Sequence, residues 1–218
     1  MGLFRQLWNM IDWSVVSGLM TRALAVLLCL TVHETCHGLA AYALGDPTAK
    51  RMHRLSLNPL HHIDWVGLAA MLLAGFGWAK PVPVDMRYFK NPKRGMALTA
   101  LAGPASNFLL VVLCCIPLRW IYWSAEVTPF LLWLYDFLLT LVLMNLGLGL
   151  FNLLPIPPLD GSKVLFALLP DRAYLQLMRY ERYGMLLLIF LVFFDVGSDF
   201  LSRAISAVFA FLINLLVL

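Results

Sequence analysis

The sequence predicts an all-α membrane protein that crosses the bilayer several times. Of its 218 residues, 61% are hydrophobic and 13% are charged, and the mean hydropathy is +0.82. A soluble domain of this size carries about twice that charged fraction. The apolar residues form long blocks separated by short polar loops, which is the pattern of membrane-spanning helices. One domain over residues 1–218 is expected, without a separate soluble module.

The charge distribution favours a lipid environment over nucleic acid. The net charge is +4 and the pI is near 9.0. The basic residues lie in loops between apolar blocks, where they act as orientation signals and contact lipid head groups. No nucleic-acid partner is therefore expected. No disulfide framework is implied either, because the four cysteines lie within apolar segments: Cys29, Cys36, Cys114 and Cys115.

The chain begins with a predicted interfacial segment and one long helix. Residues 1–13 place apolar and aromatic side chains among polar ones, as an amphipathic segment at the membrane surface does. Residues 14–44 are predicted to form a helix that is apolar apart from Arg22, the polar cluster at 33–37 and a few small polar residues. Gly45-Asp46-Pro47 ends this helix.

The next region is too short for a membrane span and is flanked by positive charge. Residues 48–62 are polar, and partial alternation over residues 48–57 permits a short strand. Residues 63–77 are apolar but too few for a comfortable crossing. Because basic residues stand on both sides, this segment is expected to enter and leave on the cytoplasmic side as a re-entrant element.

Two full spans follow, and the second is interrupted by prolines. Residues 95–118 form one predicted span, and residues 130–151 cross back. Residues 152–161 break the helical pattern with Pro155, Pro157 and Pro158.

The predicted catalytic core covers residues 14–170, and a separate tail follows it. An apolar helix resumes over residues 164–169 and ends at Pro170, before a basic loop. Polar residues near position 197 split the tail over residues 184–218. The tail is either one tilted span with an amphipathic end or a short hairpin.

The strongest chemical signal is His33-Glu34-Thr35-Cys36-His37 in the first helix. Histidines four residues apart differ by about 40° in rotation and about 6 Å in rise, so both imidazoles can reach one metal ion. The adjacent glutamate can act there as a base toward water. Neutral histidines hydrogen-bonded across helices are the alternative. An ionisable trio inside an apolar helix is costly, however, unless it is paired, protonated or metal-bound.

A catalytic zinc needs a third protein ligand, and the proline-broken segment contains a candidate. The prolines free backbone carbonyls, which a membrane tolerates only where protein or a water-filled cavity surrounds them. Asp160 begins the next helical stretch, where it could cap the helix, ligate the metal or do both. Lys163 is cationic and Asp171 lies in a basic loop, so both are weaker candidates.

With these motifs the chain resembles the site-2 protease family, also called the M50 metallopeptidases. Residues 33–37 match the HExxH motif of the family, and residues 152–161 match its NxxPxxPLDG-type motif. The resemblance implies a transmembrane protease core with one catalytic Zn²⁺, whose ligands are His33, His37 and Asp160. It also implies that Glu34 is the general base and that Asn152 contacts the substrate backbone.

The resemblance extends over roughly residues 25–170 and includes a second asparagine. Residues 103–107 resemble the GPxxN element of the family. Asn107 is a lesser candidate for substrate binding, because an interhelical hydrogen bond is the commoner role of such a residue. Trp65 stands where small family members tend to have proline. The PDZ and CBS modules of the larger members are not expected.

The remaining metal-binding side chains are weaker candidates. Cys36 lies about 60° from His33 around the helix and could compete for the metal, although helix packing is its favoured role. His53, His61 and His62 are expected to be solvated loop histidines, with a gating role as the alternative for His62.

The implied function is hydrolysis of membrane-embedded, single-pass protein substrates, as in regulated intramembrane proteolysis. Gly45 follows His37 by eight residues, so the metal is expected about 12 Å from the helix end. The protein is expected in the cell membrane with its site toward the cytoplasm. A metal-ion transporter and an inactive scaffold are the rival interpretations, and internal repeat symmetry, common in transporters, is not visible. The oligomeric state stays open.

Overall fold

The computed structural model describes residues 13–67, 69, 79–194 and 196–218. These residues form helices and turns without any strand, which confirms the predicted all-α class. The main helices, numbered in chain order, are α1 (Trp13–Ala43), α2 (Thr48–Arg51), α3 (Pro92–Tyr122), α4 (Pro129–Asn152), α5 (Asp160–Ala167), α6 (Asp171–Phe193) and α7 (Ser198–Leu216). Single 3-10 turns lie at Pro59–His61 and Met86–Tyr88.

Four of the described helices are long and apolar enough to cross a membrane: α1, α3, α4 and α7. Large apolar side chains remain exposed on their outer faces, among them Ile116, Leu132 and Phe211. Such side chains are at no disadvantage in a bilayer, because lipid tails are as apolar as leucine. The helices therefore confirm a polytopic membrane protein.

Helix α3 is the centre of the bundle. It packs against α1, α4, α5 and α7. In its most apolar stretch 44% of the residues are buried, whereas none are buried in that of α7. Val111 and Leu118 of α3 meet Val142 and Leu146 of α4 in a fully buried apolar core. The inward-facing sides of α1, α4 and α5 therefore contact α3.

Local capping begins the two central helices where the sequence predicts spans. The Asn91 side chain accepts a 3.1 Å hydrogen bond from the Arg94 N–H at the start of α3. Thr128 caps α4 in the same way through the Leu131 N–H, at 3.2 Å. A proline follows each cap, at a position where its missing N–H leaves no helical hydrogen bond unmade.

The short strand considered for residues 48–57 does not form. Gly45 adopts φ of +109°, which ends α1 and turns the chain. The Asp46 carboxylate then accepts hydrogen bonds from the Thr48 N–H at 2.9 Å and the Thr48 hydroxyl at 2.5 Å. The bond to the Thr48 N–H satisfies one free donor in the first turn of the short helix α2, which forms in place of a strand.

Several expected segments fall partly or wholly outside the described residues. Residues 1–12 of the predicted interfacial segment do so, as do residue 68 and residues 70–78 around the predicted re-entrant element. Within that element residues 65–67 are helical, and the Asp64 carboxylate accepts hydrogen bonds from the N–H groups of Val66 and Gly67. The re-entrant path stays a prediction.

The described residues of the tail belong to two helices. Helix α6 begins at Asp171, before the predicted tail boundary, and α7 follows after Gly197, whose φ is +85°. Of the two, α7 is the candidate membrane span.

Candidate metal centre

The two histidines of α1 lie side by side inside the protein. His33 is 3% exposed and His37 is 8% exposed. Their Nε2 atoms are 3.0 Å apart. The imidazole rings meet edge to face, with centroids separated by 4.5 Å. One turn of helix therefore directs both Nε2 atoms to one point, as the four-residue spacing predicts.

Asp160 reaches this point from the start of α5. Its Oδ2 atom is 3.3 Å from His33 Nε2 and 3.2 Å from His37 Nε2. The N-cap of α5 is Leu159, so the Asp160 side chain faces the histidines rather than capping its own helix. Lys163, one turn further along α5, places Nζ 3.8 Å from Asp160 Oδ1. Of the two roles open to Asp160, the structure favours the metal-facing one.

A close backbone approach brings Asp160 into place. A Cβ atom on Gly161 would lie 2.6 Å from the carbonyl oxygen of Leu154. Only glycine fits so close to the loop between α4 and α5. The hydroxyl of Ser162 donates a 2.7 Å hydrogen bond to the Leu159 carbonyl. Together these contacts fold the loop tightly under the first turn of α5.

The far nitrogen of each imidazole is engaged by a hydrogen-bond acceptor. His37 Nδ1 lies 2.7 Å from the backbone carbonyl oxygen of Thr99. His33 Nδ1 lies 2.6 Å from Asn107 Oδ1. A carbonyl oxygen only accepts, so each Nδ1 must carry the proton and donate it. The two Nε2 lone pairs then face Asp160.

This donor set fits a zinc ion. Two imidazole lone pairs and one carboxylate oxygen lie within 4.8 Å of one another and are all buried. Three acceptor atoms at this separation repel one another unless a cation or a shared proton lies between them. Two histidines and one carboxylate form a typical ligand set of catalytic zinc, which leaves further positions open. His33, His37 and Asp160 are therefore the residues that would hold it.

Gly103 of α3 makes room for the imidazoles. A Cβ atom at this position would lie 2.5 Å from His37 Cε1 and 2.6 Å from His33 Cε1. Any other residue would displace at least one ring. Gly103 is the first residue of the GPxxN element in the sequence, but nothing in that element by itself connects the glycine to the histidines.

Glu34 is held by a segment that the sequence analysis did not connect with it. Its Oε2 atom accepts a 2.9 Å hydrogen bond from the Val82 N–H. Pro81 and Pro83 flank Val82 and have no N–H, so Val82 is the single backbone donor of this tripeptide. We call residues 80–85, which run past Glu34, the strap.

Two further residues anchor the strap. Arg54 Nη2 donates a 2.7 Å hydrogen bond to the Lys80 carbonyl. The fully buried Asp46 accepts a 2.7 Å hydrogen bond from the Asp85 N–H through Oδ2. Asp46 and Arg54 are charged residues in the polar region after α1. Their partners in the strap lie too far along the chain for the sequence to identify them.

The two asparagines occupy different positions. Asn107 is fully buried and bonds His33. Asn152, the last residue of α4, is partly exposed, and its amide nitrogen donates a 3.0 Å hydrogen bond to the Leu148 carbonyl. The structure thus brings His33, His37, Asp160 and Asn107 together, while Asn152 bonds within its own helix.

The other candidate ligands stay outside the cluster. The described metal-binding group does not include Cys36, which is a free cysteine. His53 and His61 are exposed, as expected. His62 is not solvated: it is 2% exposed, and its Nε2 donates a 2.8 Å hydrogen bond to the Ser56 carbonyl. That carbonyl also accepts from Thr35 of α1, so His62 joins the loop to the helix of the histidines.

Fold and site together define a polytopic helical membrane protein with a buried cluster of two histidines and one aspartate that fits a metal ion. Comparison with known proteins agrees with this class. The model of peptidase family M50 matches residues 126–194, the part of the chain that contains Asp160. No solved structure shows significant similarity.

Three curated relatives are similar to the chain. "Putative zinc metalloprotease YwhC" of Bacillus subtilis (strain 168) is 36% identical over 201 residues, which cover 85% of this chain and 91% of the relative. "Putative zinc metalloprotease Rip2" of Mycolicibacterium smegmatis is 29% identical over 76% of this chain and 64% of the relative. "Zinc metalloprotease MJ0392" of Methanocaldococcus jannaschii is 34% identical over 38% of this chain and 22% of the relative.

This chain belongs to peptidase family M50, the site-2 protease family of zinc metalloproteases. With four candidate membrane spans, it is a membrane metalloprotease.

Proposed function

We propose that the chain is an intramembrane zinc endopeptidase that cleaves membrane-embedded, single-pass protein substrates, as in regulated intramembrane proteolysis. The observation that carries this proposal is the convergence of His33, His37 and Asp160 within 3.3 Å inside a helical membrane bundle. These three residues hold one catalytic zinc. When bound there, zinc supplies a Lewis acid that polarises a carbonyl and makes water more acidic.

Glu34 is the general base in this proposal. It follows His33 in α1, and its Oε2 already accepts the Val82 N–H. The other oxygen, Oε1, takes the proton from the attacking water and later passes it to the nitrogen of the leaving amine. The hydrogen bond to Val82 also fixes the direction in which that oxygen points.

Substrate handling is assigned to Asn152. A transmembrane helix hides its carbonyls in its own hydrogen bonds, so a substrate must unwind before a peptide bond can be attacked. Asn152 is partly exposed and uses its amide nitrogen within α4. Its amide oxygen can accept from an N–H of the unwound substrate. Asn107, the lesser candidate, is fully buried with both polar ends bonded, which favours a role behind His33.

The proposed location follows from the basic loops. The basic residues between α1 and α3 include Arg51, Lys80 and Lys90, which by the positive-inside rule belong on the cytoplasmic side. His37 lies six residues before Ala43, the last residue of α1, so the site lies about 9 Å below the cytoplasmic end of α1, in the cell membrane. Residues 1–218 act as one domain, with an interfacial segment at 1–13, a catalytic core at 14–170 and a membrane-associated tail at 184–218.

Metal content and proteolysis, measured together, test the proposal. Purified wild type should contain one zinc per chain and should cleave a single-pass model substrate in detergent. Asp160→Ala should lose both properties. Asp171→Ala, which removes an exposed carboxylate at the start of α6, is the control and should keep both. Zinc bound at full occupancy by Asp160→Ala would refute the ligand set. Metal flux through wild-type proteoliposomes without proteolysis would refute the enzymatic function.

A further inference from the structure

A chain of buried hydrogen bonds leads from His33 across three helices. His33 Nδ1 of α1 bonds Asn107 Oδ1 of α3 at 2.6 Å. Asn107 Nδ2 donates to Asn145 Oδ1 of α4 at 2.7 Å. Asn145 Nδ2 donates to the Leu141 carbonyl oxygen at 2.8 Å. Both asparagines are 0% exposed, so water does not compete for these bonds.

The direction of the whole chain is set at its far end. The Leu141 carbonyl oxygen can only accept, so Asn145 must turn its NH₂ group toward it. Asn145 Oδ1 then faces Asn107 and requires a donor, which places Asn107 Nδ2 on that side. Asn107 Oδ1 is left to face His33, whose Nδ1 must carry a proton.

We infer that Asn107 and Asn145 are positioning residues that fix the Nδ1-protonated tautomer of His33 and so keep its Nε2 lone pair directed at the metal site. This inference rests on the proposed metal ligation by His33, His37 and Asp160. Asn145 acts through Asn107 and touches neither the metal nor the substrate.

Asn107 alone does not fix the tautomer. A side-chain amide can present either its oxygen or its NH₂ group to a neighbour. If the NH₂ group of Asn107 faced His33, Nδ1 would accept and the proton would move to Nε2, where it blocks metal ligation. Asn145 prevents this reversal, because its own oxygen would then face the oxygen of Asn107. Two buried acceptors in contact cost the energy of an unmade hydrogen bond as well as their repulsion.

His37 provides an internal comparison. Its Nδ1 faces the backbone carbonyl of Thr99 directly, at 2.7 Å. That acceptor cannot reverse, so the tautomer of His37 needs no further support. His33 obtains the same result through two side chains, and the chain of bonds ends on a backbone carbonyl in both cases. Outer hydrogen-bond partners of this kind orient metal-binding histidines and raise metal affinity.

The alternative role for the asparagines is to hold α3 and α4 together. Interhelical hydrogen bonds between polar side chains stabilise membrane bundles. That role predicts a loss of folding stability without a specific effect on zinc binding or on the histidine tautomer. The two roles are therefore separable by measuring zinc affinity against a matched loss of packing.

The experiment compares zinc affinity in purified full-length variants, titrated against a competing chelator. Asn145→Leu keeps the branching of the side chain but removes both hydrogen bonds, and it should weaken zinc binding about tenfold. Leu146→Ala, a fully buried neighbour in α4, removes packing without touching the chain of bonds and should keep the wild-type affinity. Equal zinc affinity of Asn145→Leu and wild type, or an equal loss in Leu146→Ala, would overturn the inference.

A second variant keeps the test independent of folding. Asn107→Asp places a carboxylate beside His33 Nδ1, and a carboxylate accepts at both oxygens. In that background the tautomer no longer depends on Asn145. The double variant Asn107→Asp/Asn145→Leu should therefore recover the zinc affinity that Asn145→Leu loses. A tenfold loss that persists in the double variant would show that Asn145 does not act through the tautomer.

A metal-free readout separates this inference from the proposed function. In ¹⁵N-histidine-labelled protein stripped of metal, the His33 signal, assigned by its loss in His33→Gln, should show the proton on Nδ1. In Asn145→Leu it should show a mixture of tautomers. If wild type binds no zinc but the His33 tautomer still differs between wild type and Asn145→Leu, the metal proposal fails and the positioning role stands. If zinc binding depends on Asp160 but the tautomer is unchanged, the positioning role fails alone.

Discussion

Glu34 Oε2 accepts a 2.9 Å hydrogen bond from the backbone N–H of Val82, and this bond joins α1 to the strap. Pro81 and Pro83 make that N–H the single backbone donor of its tripeptide. Because Arg54 and the buried Asp46 hold the strap on either side of Val82, the position of the proposed base depends on residues well removed from α1.

Glu34→Gln should abolish cleavage and leave zinc bound. The glutamine oxygen can still accept the Val82 N–H, so the local geometry is kept, but an amide cannot take a proton from water. We expect proteolysis to fall by about 10²–10⁴-fold. Single-turnover cleavage beside zinc content measures both effects. Glu126→Gln, in the exposed loop before α4, is the matched control and should cleave normally. Normal cleavage by Glu34→Gln would remove Glu34 from its proposed role.

Val82→Pro should lower the rate of cleavage without changing zinc content. The substitution deletes the N–H that Glu34 accepts. A hydrogen bond to a charged group contributes about 1.5–3 kcal/mol, which corresponds to roughly a 10–100-fold effect on the rate. Val82→Ala keeps the N–H and should retain most of the activity. An equal loss in both variants would show that the Val82 side chain matters rather than its backbone.

Gly103→Ala should weaken zinc binding about tenfold or more, because the new Cβ displaces the imidazoles of His33 and His37. Gly147→Ala in α4 is the matched control, since the nearest heavy atom to its Cβ is 3.8 Å away. It should bind zinc normally and gain slightly in helix stability. Chelator competition gives both affinities. Unchanged zinc affinity in Gly103→Ala would mean that α1 and α3 lie further apart than the structure shows.

Asp46→Ala should destabilise the loop region and release the strap. The substitution leaves the Thr48 N–H, the Thr48 hydroxyl and the Asp85 N–H without their common acceptor. We expect a loss of about 2 kcal/mol or more in the free energy of unfolding. Thermal unfolding in detergent and protease sensitivity of residues 80–85 are the measurements. Asp85→Ala keeps the N–H that Asp46 accepts, so a comparable loss there would contradict the assignment.

Features that depend on near neighbours in the chain were predictable. Composition and apolar block lengths predict the all-α membrane class, and the structure confirms it. The four-residue spacing of His33 and His37 predicts that they share a helix face, because the helical period is a local property. Local signals failed at residues 48–57, where the carboxylate of Asp46 accepts the Thr48 N–H at the start of a helical turn in place of the strand that alternation permitted. They also failed after Pro170, where the expected basic loop is the first part of α6.

Contacts between distant segments were not predictable from the residues alone. Asp160 could have been a helix cap, and its place beside the histidines depends on α5 packing against α3. His62 is buried rather than solvated because its loop is bonded to α1 through Thr35, which the sequence does not indicate.

By itself, the sequence determined the helices, their membrane environment, the paired imidazoles and, through the resemblance they carry, the family. Only the tertiary structure decided that Gly103 makes room for those imidazoles, that Val82 holds Glu34 and that Asn145 stands behind Asn107. The physical reason is that helical period and hydropathy act between near neighbours. Hydrogen-bond direction and steric fit depend instead on which helices pack together, and α3 at the centre of the bundle decides that here.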